Sequence, residues 1–275
     1  MFLIKNIVCT GGSFMFDFHM HSNVSFDAKG RARDMAEKAA ALGLKEICFT
    51  DHMEYILGSE TQPWAFDWNV YSEAYDKLFV PGLKIRRGME FGLKTYNLDD
   101  LKRDVGMRHF DFVIGSVHCV NEQDVYFSEF WEGKTLEEAY RVFLEETLAC
   151  VRAHDDFDVL GHLTFICKSP ENPTRAPLRY GDHRELVDEI LRELVKKGKG
   201  MELNTSGRDV CGVFLPAEEY FRRFRELGGE IVTIGSDAHD EKRVGQYAKE
   251  ACEILSSIFG HVCTFEDRKP IFHKI

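Results

Sequence analysis

Paired cysteines, long apolar runs, basic excess and linker-like composition are all missing from this 275-residue chain. Its eight cysteines (9, 48, 119, 150, 167, 211, 252 and 263) include no CxxC pair. Several sit inside apolar runs such as EICFT, where a reduced thiol behaves as a small hydrophobe, so a reducing cytoplasm is the expected compartment. The opening MFLIKNIVC is too short for a secretory core and lacks a small-residue cleavage site, and no later run approaches a membrane span. With only 7 prolines, placed in apparent turns or near the chain end, and no Gly/Ser-rich stretch, nothing divides the chain into domains. The 35 Lys and Arg against 46 Asp and Glu leave a net charge of −11, which repels long nucleic acid. A small anionic substrate remains open, because bound cations can reverse the sign of a pocket.

What the chain does have is alternation. Short apolar runs near 14–21, 45–50, 84–90, 111–117, 158–162, 200–204 and 231–236 read as strands. Helical spacing follows each, over 32–43, 69–79, 98–106, 135–153, 184–197, 217–227 and 244–258, with Thr135 and Glu138 forming a capping box. Seven βα units of one parallel barrel result, and an eighth strand is possible at 262–265. Residues 119–134 form an aromatic and acidic insertion, and 167–183 read as a loop. Residues 1–14 are expected to be an N-terminal extension, Met15 serving equally well as a start, with 15–275 as the domain.

Most of these strands end in a histidine or carboxylate: FMFDFHMH, EICFTDH, KIRRGME, FVIGSVH, DVLGHL and IVTIGSDAH. Parallel barrels build their active sites at the strands' C-terminal ends, so residues scattered along the chain would meet in one pocket. Grouped imidazoles and carboxylates would repel or go unpaired without cations between them, and this donor set suits Zn, Fe and Mn. His19 and His21, two apart on a strand, leave the same face and can grip one ion.

The set HMH (19–21), TDH (50–52), GME (88–90), GSVH (115–118), GH (161–162) and GSDAH (235–239) resembles the polymerase-and-histidinol-phosphatase (PHP) family of metal phosphoesterases. Within it, TDHMEY, GSVHCV, ELNTSGR and DRKP are most similar to the histidinol-phosphate phosphatase branch, and the resemblance spans residues 15 to about 272. It implies an α/β fold, a distorted (βα)7 TIM-like barrel with two to three divalent ions. By position, His19, His21, Glu90 and Asp237 would bind the first metal. Glu90 would bridge to a second held by His118 and His162, and Asp27, His52 and His239 would hold a third. The implied reaction hydrolyses L-histidinol phosphate to L-histidinol and phosphate, in histidine biosynthesis, by hydroxide held between metals roughly 3.5–4 Å apart. The leaving-group proton would come from metal-bound water, Asp237 or His239.

Phosphate recognition calls for donors at the same rim. Arg208 can offer a two-pronged contact and Lys168 a point charge, and the resemblance makes both substrate-facing. Ser206 and Asn204 are further candidates, and Tyr55, Trp64 and Trp68 could wall the pocket. His109, His154, His183, His261 and His273 are read as structural. The expected partner is a small phosphorylated substrate, with no membrane and no long nucleic acid. Three rivals stay open: a PHP phosphoesterase acting on nucleotides, an amidohydrolase-type hydrolase, and a non-catalytic metal-binding module.

Overall fold

Seven strands run parallel, in chain order, around a nearly closed barrel: β1 (Phe16–Met20), β2 (Glu46–Phe49), β3 (Lys84–Gly92), β4 (Phe112–Ser116), β5 (Val159–Leu160), β6 (Gly200–Asn204) and β7 (Val232–Gly235). The computed structural model describes residues 4–5, 15–59 and 61–274. Pairing registers include Phe16 with Glu46, Glu46 with Lys84, Gly88 with Phe112, Ile114 with Val159, Val159 with Gly200 and Met201 with Val232. The ring closes just past β7, where the Asp237 amide donates to the His19 carbonyl and the His21 amide to the Ala238 carbonyl, both at 2.8 Å. Apart from residues 84–87 at the start of β3, the strand residues are buried, which is why the runs are mostly apolar.

Helices α1 (Ala32–Ala41), α2 (Trp68–Tyr75), α3 (Leu98–Met107), α4 (Leu136–Ala153), α5 (Arg184–Lys197), α6 (Glu218–Glu226) and α7 (Ala248–Phe259) follow the strands. The capping box at the start of α4 is present in both directions, the Thr135 hydroxyl taking the Glu138 amide and the Glu138 carboxylate the Thr135 amide. α7 begins four residues later than its spacing predicts, because 241–247 is a run of turns ending at Tyr247 with φ 58°.

The possible eighth strand does not join the barrel. His261–Glu266 (β8) pairs antiparallel with Lys269–Lys274 (β9) through the two-residue turn Asp267–Arg268, whose φ values of 51° and 60° put both residues in the left-handed region that matches a tight turn to the right-handed twist of its strands. This hairpin covers the barrel's N-terminal end: Phe265 packs on Phe112, and Arg268 bonds the Asp111 carbonyl and the Asp158 carboxylate, which precede β4 and β5. Ile4–Lys5, within the expected 1–14 extension, runs parallel to Phe272–His273 on β9 and so adds a third strand to this hairpin; the other residues of that extension lie outside the described residues. The opposite, C-terminal end is therefore the open one. Among the described residues no helix is long and apolar enough to cross a membrane.

Candidate metal centre

Each strand, or the residues just past it, delivers a histidine or carboxylate to that open end, β6 supplying Glu202 behind the His19 ring. His52 arrives just after β2, where His52–Met53 extends the pairing with β3 and sets His52 beside Glu90. Glu90 is fully buried and two-sided. Its Oε2 lies 3.3 Å from His19 Nε2 and 3.4 Å from His21 Nε2, while its Oε1 lies 2.8 Å from His162 Nε2 and 3.6 Å from His118 Nε2. Asp237 Oδ1 closes the first group at 3.4 Å from His21 Nε2 and 3.7 Å from His19 Nε2. Nearer the rim, Asp27 Oδ2 lies 3.2 Å from His239 Nε2 and 3.6 Å from His52 Nε2.

The donor chemistry fits cations. His19 Nδ1 is 2.6 Å from Glu202 and His118 Nδ1 is 2.6 Å from Glu54, so each ring gives its Nδ1–H to a carboxylate and turns an Nε2 lone pair inward. Those lone pairs face His21 Nε2 at 2.9 Å and His162 Nε2 at 3.3 Å, contacts that need a proton or a cation between them. Glu90 Oε2 is buried with no hydrogen-bond partner among the described residues, because His52 Nδ1, 3.0 Å away, is out of alignment with it. An orphaned buried carboxylate oxygen is costly unless a charge compensates it.

Burial works against charge at Glu90 and Asp237, but the surrounding hydrogen-bond donors and electrostatic partners win. His19, His52 and His162 hold Glu90 well below the usual carboxylate range, and Lys168, His19, His21 and His239 do the same for Asp237. Burial together with His52 and His239 pushes His21 down, which keeps it neutral and able to donate a lone pair. Asp237 holds φ 54°, a strained value for a side-chain-bearing residue, and this bend turns its carboxylate from the β7 axis into the cluster.

The remaining expected residues divide. Lys168 lines the cavity, its Nζ 2.9 Å from Asp237 Oδ2 and 2.8 Å from Ser206 Oγ. Ser206 is buried and braces Lys168 and Asp237, while Asn204 spends its side-chain oxygen on the Ser206 amide and hydroxyl. Arg208 is not brought to the cavity. Its guanidinium bonds the Gly212 carbonyl at 2.7 Å, pairs with Glu250 on α7 at 3.2 Å and covers the Phe214 ring, because a short helix at Arg208–Cys211 carries it over the barrel's flank. Trp64 lines the cavity; Trp68 packs on Phe66 and Phe110, and the Tyr55 hydroxyl donates to Asp104, so neither of these walls the pocket. The sequence reading missed Glu54 and Glu202. Glu202 carried a signal, an acidic residue inside the apolar strand GMELN, a place where an unpartnered charge is rarely tolerated.

A nearly closed parallel barrel with a histidine–carboxylate cluster at its C-terminal mouth defines the class of barrel metal hydrolases. The PHP domain matches residues 17–206, and the chain belongs to that family. It is 31% identical to a histidinol-phosphatase of Lactococcus lactis over 258 residues, covering 92% of this chain and 95% of that protein. A protein of Clostridium acetobutylicum named as a probable histidinol-phosphatase is 27% identical over 94% of this chain and 96% of its own length. The crystal structure of the L. lactis histidinol phosphate phosphatase with zinc, L-histidinol and phosphate superposes with a TM-score of 0.82 at 29% identity, covering 93% of this chain and 98% of that one.

Proposed function

We propose that the protein is a metal-dependent phosphomonoesterase that hydrolyses L-histidinol phosphate to L-histidinol and phosphate, with residues 15–275 as the catalytic domain. The observation that carries the reading is the two-sided Glu90 carboxylate, one oxygen turned to His19 and His21 and the other to His118 and His162. The zinc, L-histidinol and phosphate named in the L. lactis structure support the substrate. His19, His21, Glu90 and Asp237 would hold one divalent ion, Glu90, His118 and His162 a second, and Asp27, His52 and His239 a third. Zinc, manganese or iron in these places would neutralise phosphate oxygens and make water acidic enough to attack at neutral pH.

The chain's own groups do the positioning. Glu202 and Glu54 fix the rings of His19 and His118 by taking their Nδ1 protons, so the Nε2 atoms cannot swing away. Ser206 and Asp237 anchor Lys168 with one ammonium proton each, leaving a third to reach a phosphoryl oxygen from the cavity wall. Asp237 stays ionised at neutral pH and acts as a ligand rather than as an acid. A chelation experiment tests the reading: stripped protein should lose phosphate release from L-histidinol phosphate and regain it with Zn, Mn or Fe supplied separately. Undiminished turnover after stripping to below one ion per ten chains would overturn it.

A further inference from the structure

The cavity that contains the cluster has a volume of about 510 Å³ and extends beyond the ligands to a wall made by the 119–134 insertion. There the two-residue strands Cys119–Val120 and Gln123–Asp124 pair antiparallel, setting Asp124 opposite Cys119, the residue after His118. The Val125 amide donates to the His118 carbonyl at 2.9 Å, tying this hairpin to the metal centre's edge. Asp124 lines the cavity together with Trp64, Tyr126 and Phe127.

Asp124 differs from the other acids of the cavity. Glu90 and Asp27 face the histidines, Glu54 takes His118, and Asp237 holds Lys168. Lys94, on the same wall, is committed to Glu122 and the Tyr55 carbonyl. Among the described residues the Asp124 carboxylate accepts only the Tyr126 amide, at 2.8 Å on Oδ1, and forms no ion pair. Burial pushes its carboxyl above the ordinary range, the Tyr126 amide only partly opposing this. A largely buried carboxylate beside aromatic faces, with one oxygen uncommitted, is arranged for a cationic N–H donor.

A substrate held only by its phosphoryl group is bound like any monoester, so preference needs a second contact at its other end. Resting on the histidinol phosphate reading, we propose that Asp124 recognises the nitrogen-bearing end of the substrate, its free oxygen accepting an N–H from the ammonium or imidazole while Trp64, Tyr126 and Phe127 flank that group. Asp124 is thus a specificity residue, carried on a hairpin outside the metal ligands.

The test uses metal-replete wild-type protein and Asp124→Asn, which keeps Oδ1 for the Tyr126 amide. For each, kcat/KM is measured with L-histidinol phosphate and with p-nitrophenyl phosphate, and L-histidinol is titrated as a product inhibitor. The preference for histidinol phosphate over the aryl ester should fall about 10- to 100-fold, the effect of losing a charge-assisted hydrogen bond, chiefly through KM. Inhibition by L-histidinol should weaken by a similar factor. A matching loss with O-phosphoethanolamine places the carboxylate on the ammonium; a loss confined to histidinol phosphate places it on the imidazole. A preference ratio and an L-histidinol inhibition constant both within twofold of wild type would overturn the assignment while leaving the activity standing. Wild-type protein with no preference for histidinol phosphate would overturn the substrate reading itself, and this assignment with it.

Discussion

The Glu202 carboxylate accepts the Nδ1–H of His19 at 2.6 Å, although 183 residues separate them. Its second oxygen accepts the His162 amide at 2.8 Å, so one acid on β6 orients groups that come from β1 and from the end of β5. Glu202→Gln should therefore keep the fold but weaken metal binding about 10- to 100-fold. Metal titration followed by elemental analysis checks this, and native affinity in the variant would contradict it.

Glu90 and Asp27 differ in position as well as partners. The Glu90 side chain is 0% exposed between two histidine groups, whereas the Asp27 side chain is 37% exposed at the rim. Glu90→Gln should abolish turnover, because it removes the one charge common to both groups. Asp27→Asn should retain a measurable fraction of it. Single-turnover phosphate release on both variants, with metal content measured in parallel, decides the order, and near-normal turnover in Glu90→Gln would remove that residue from the chemistry.

The two cations expected from the sequence to meet phosphate should behave unequally. Lys168→Ala should lower kcat/KM about 10- to 100-fold, as expected for loss of a charged donor that also steadies Asp237. Arg208→Ala, on a side chain paired with Glu250 outside the cavity, should stay within about threefold, the range of an ordinary surface change. The reverse order in steady-state kinetics would show that Arg208 swings inward during catalysis.

Gly235 is required by close approach. A Cβ there would lie 2.2 Å from Glu202 Oε1 and 2.3 Å from the His19 Cβ, both in the crowded wall behind the cluster. Gly235→Ala should cost about 1–3 kcal/mol in stability and lower metal content as well, because the side chains that must move are the ones that aim His19. Thermal unfolding with and without added metal reports both effects.

Asp188 on α5 takes two bonds from Arg223 on α6, at 2.8 and 2.6 Å, and these hold its carboxyl below the ordinary value despite some opposition from burial. A carboxyl lowered by folding stabilises the protein above its unfolded pKa, and that contribution disappears as pH falls through the folded value. Asp188→Asn should therefore unfold at a lower temperature than wild type at neutral pH. The two curves should converge as the pH falls below the ordinary aspartate range and through the lowered folded value.

The barrel was legible because most strands are short apolar runs with a chemical group at one end, which fixes strand direction and face together. Convergence of His19, Glu90, His118, His162 and Asp237 then followed from parallel closure alone. Glu54 and Glu202 were harder, since a carboxylate behind a histidine is identified by where two strands meet in space. Arg208 pointed elsewhere because its direction depends on Glu250 of α7, a partner no local pattern reveals. The β8–β9 hairpin was missed for a related reason: Asp267–Arg268 is not a usual pair for a turn needing two positive φ values.

The most direct measurement of the central claim is a comparison of kcat/KM for phosphate release from L-histidinol phosphate, mononucleotides, sugar phosphates and an aryl phosphate by metal-replete protein. A value for L-histidinol phosphate at least tenfold above every other ester, lost on chelation and restored by a divalent ion, is the predicted result. Equal or better hydrolysis of a mononucleotide would contradict the assignment.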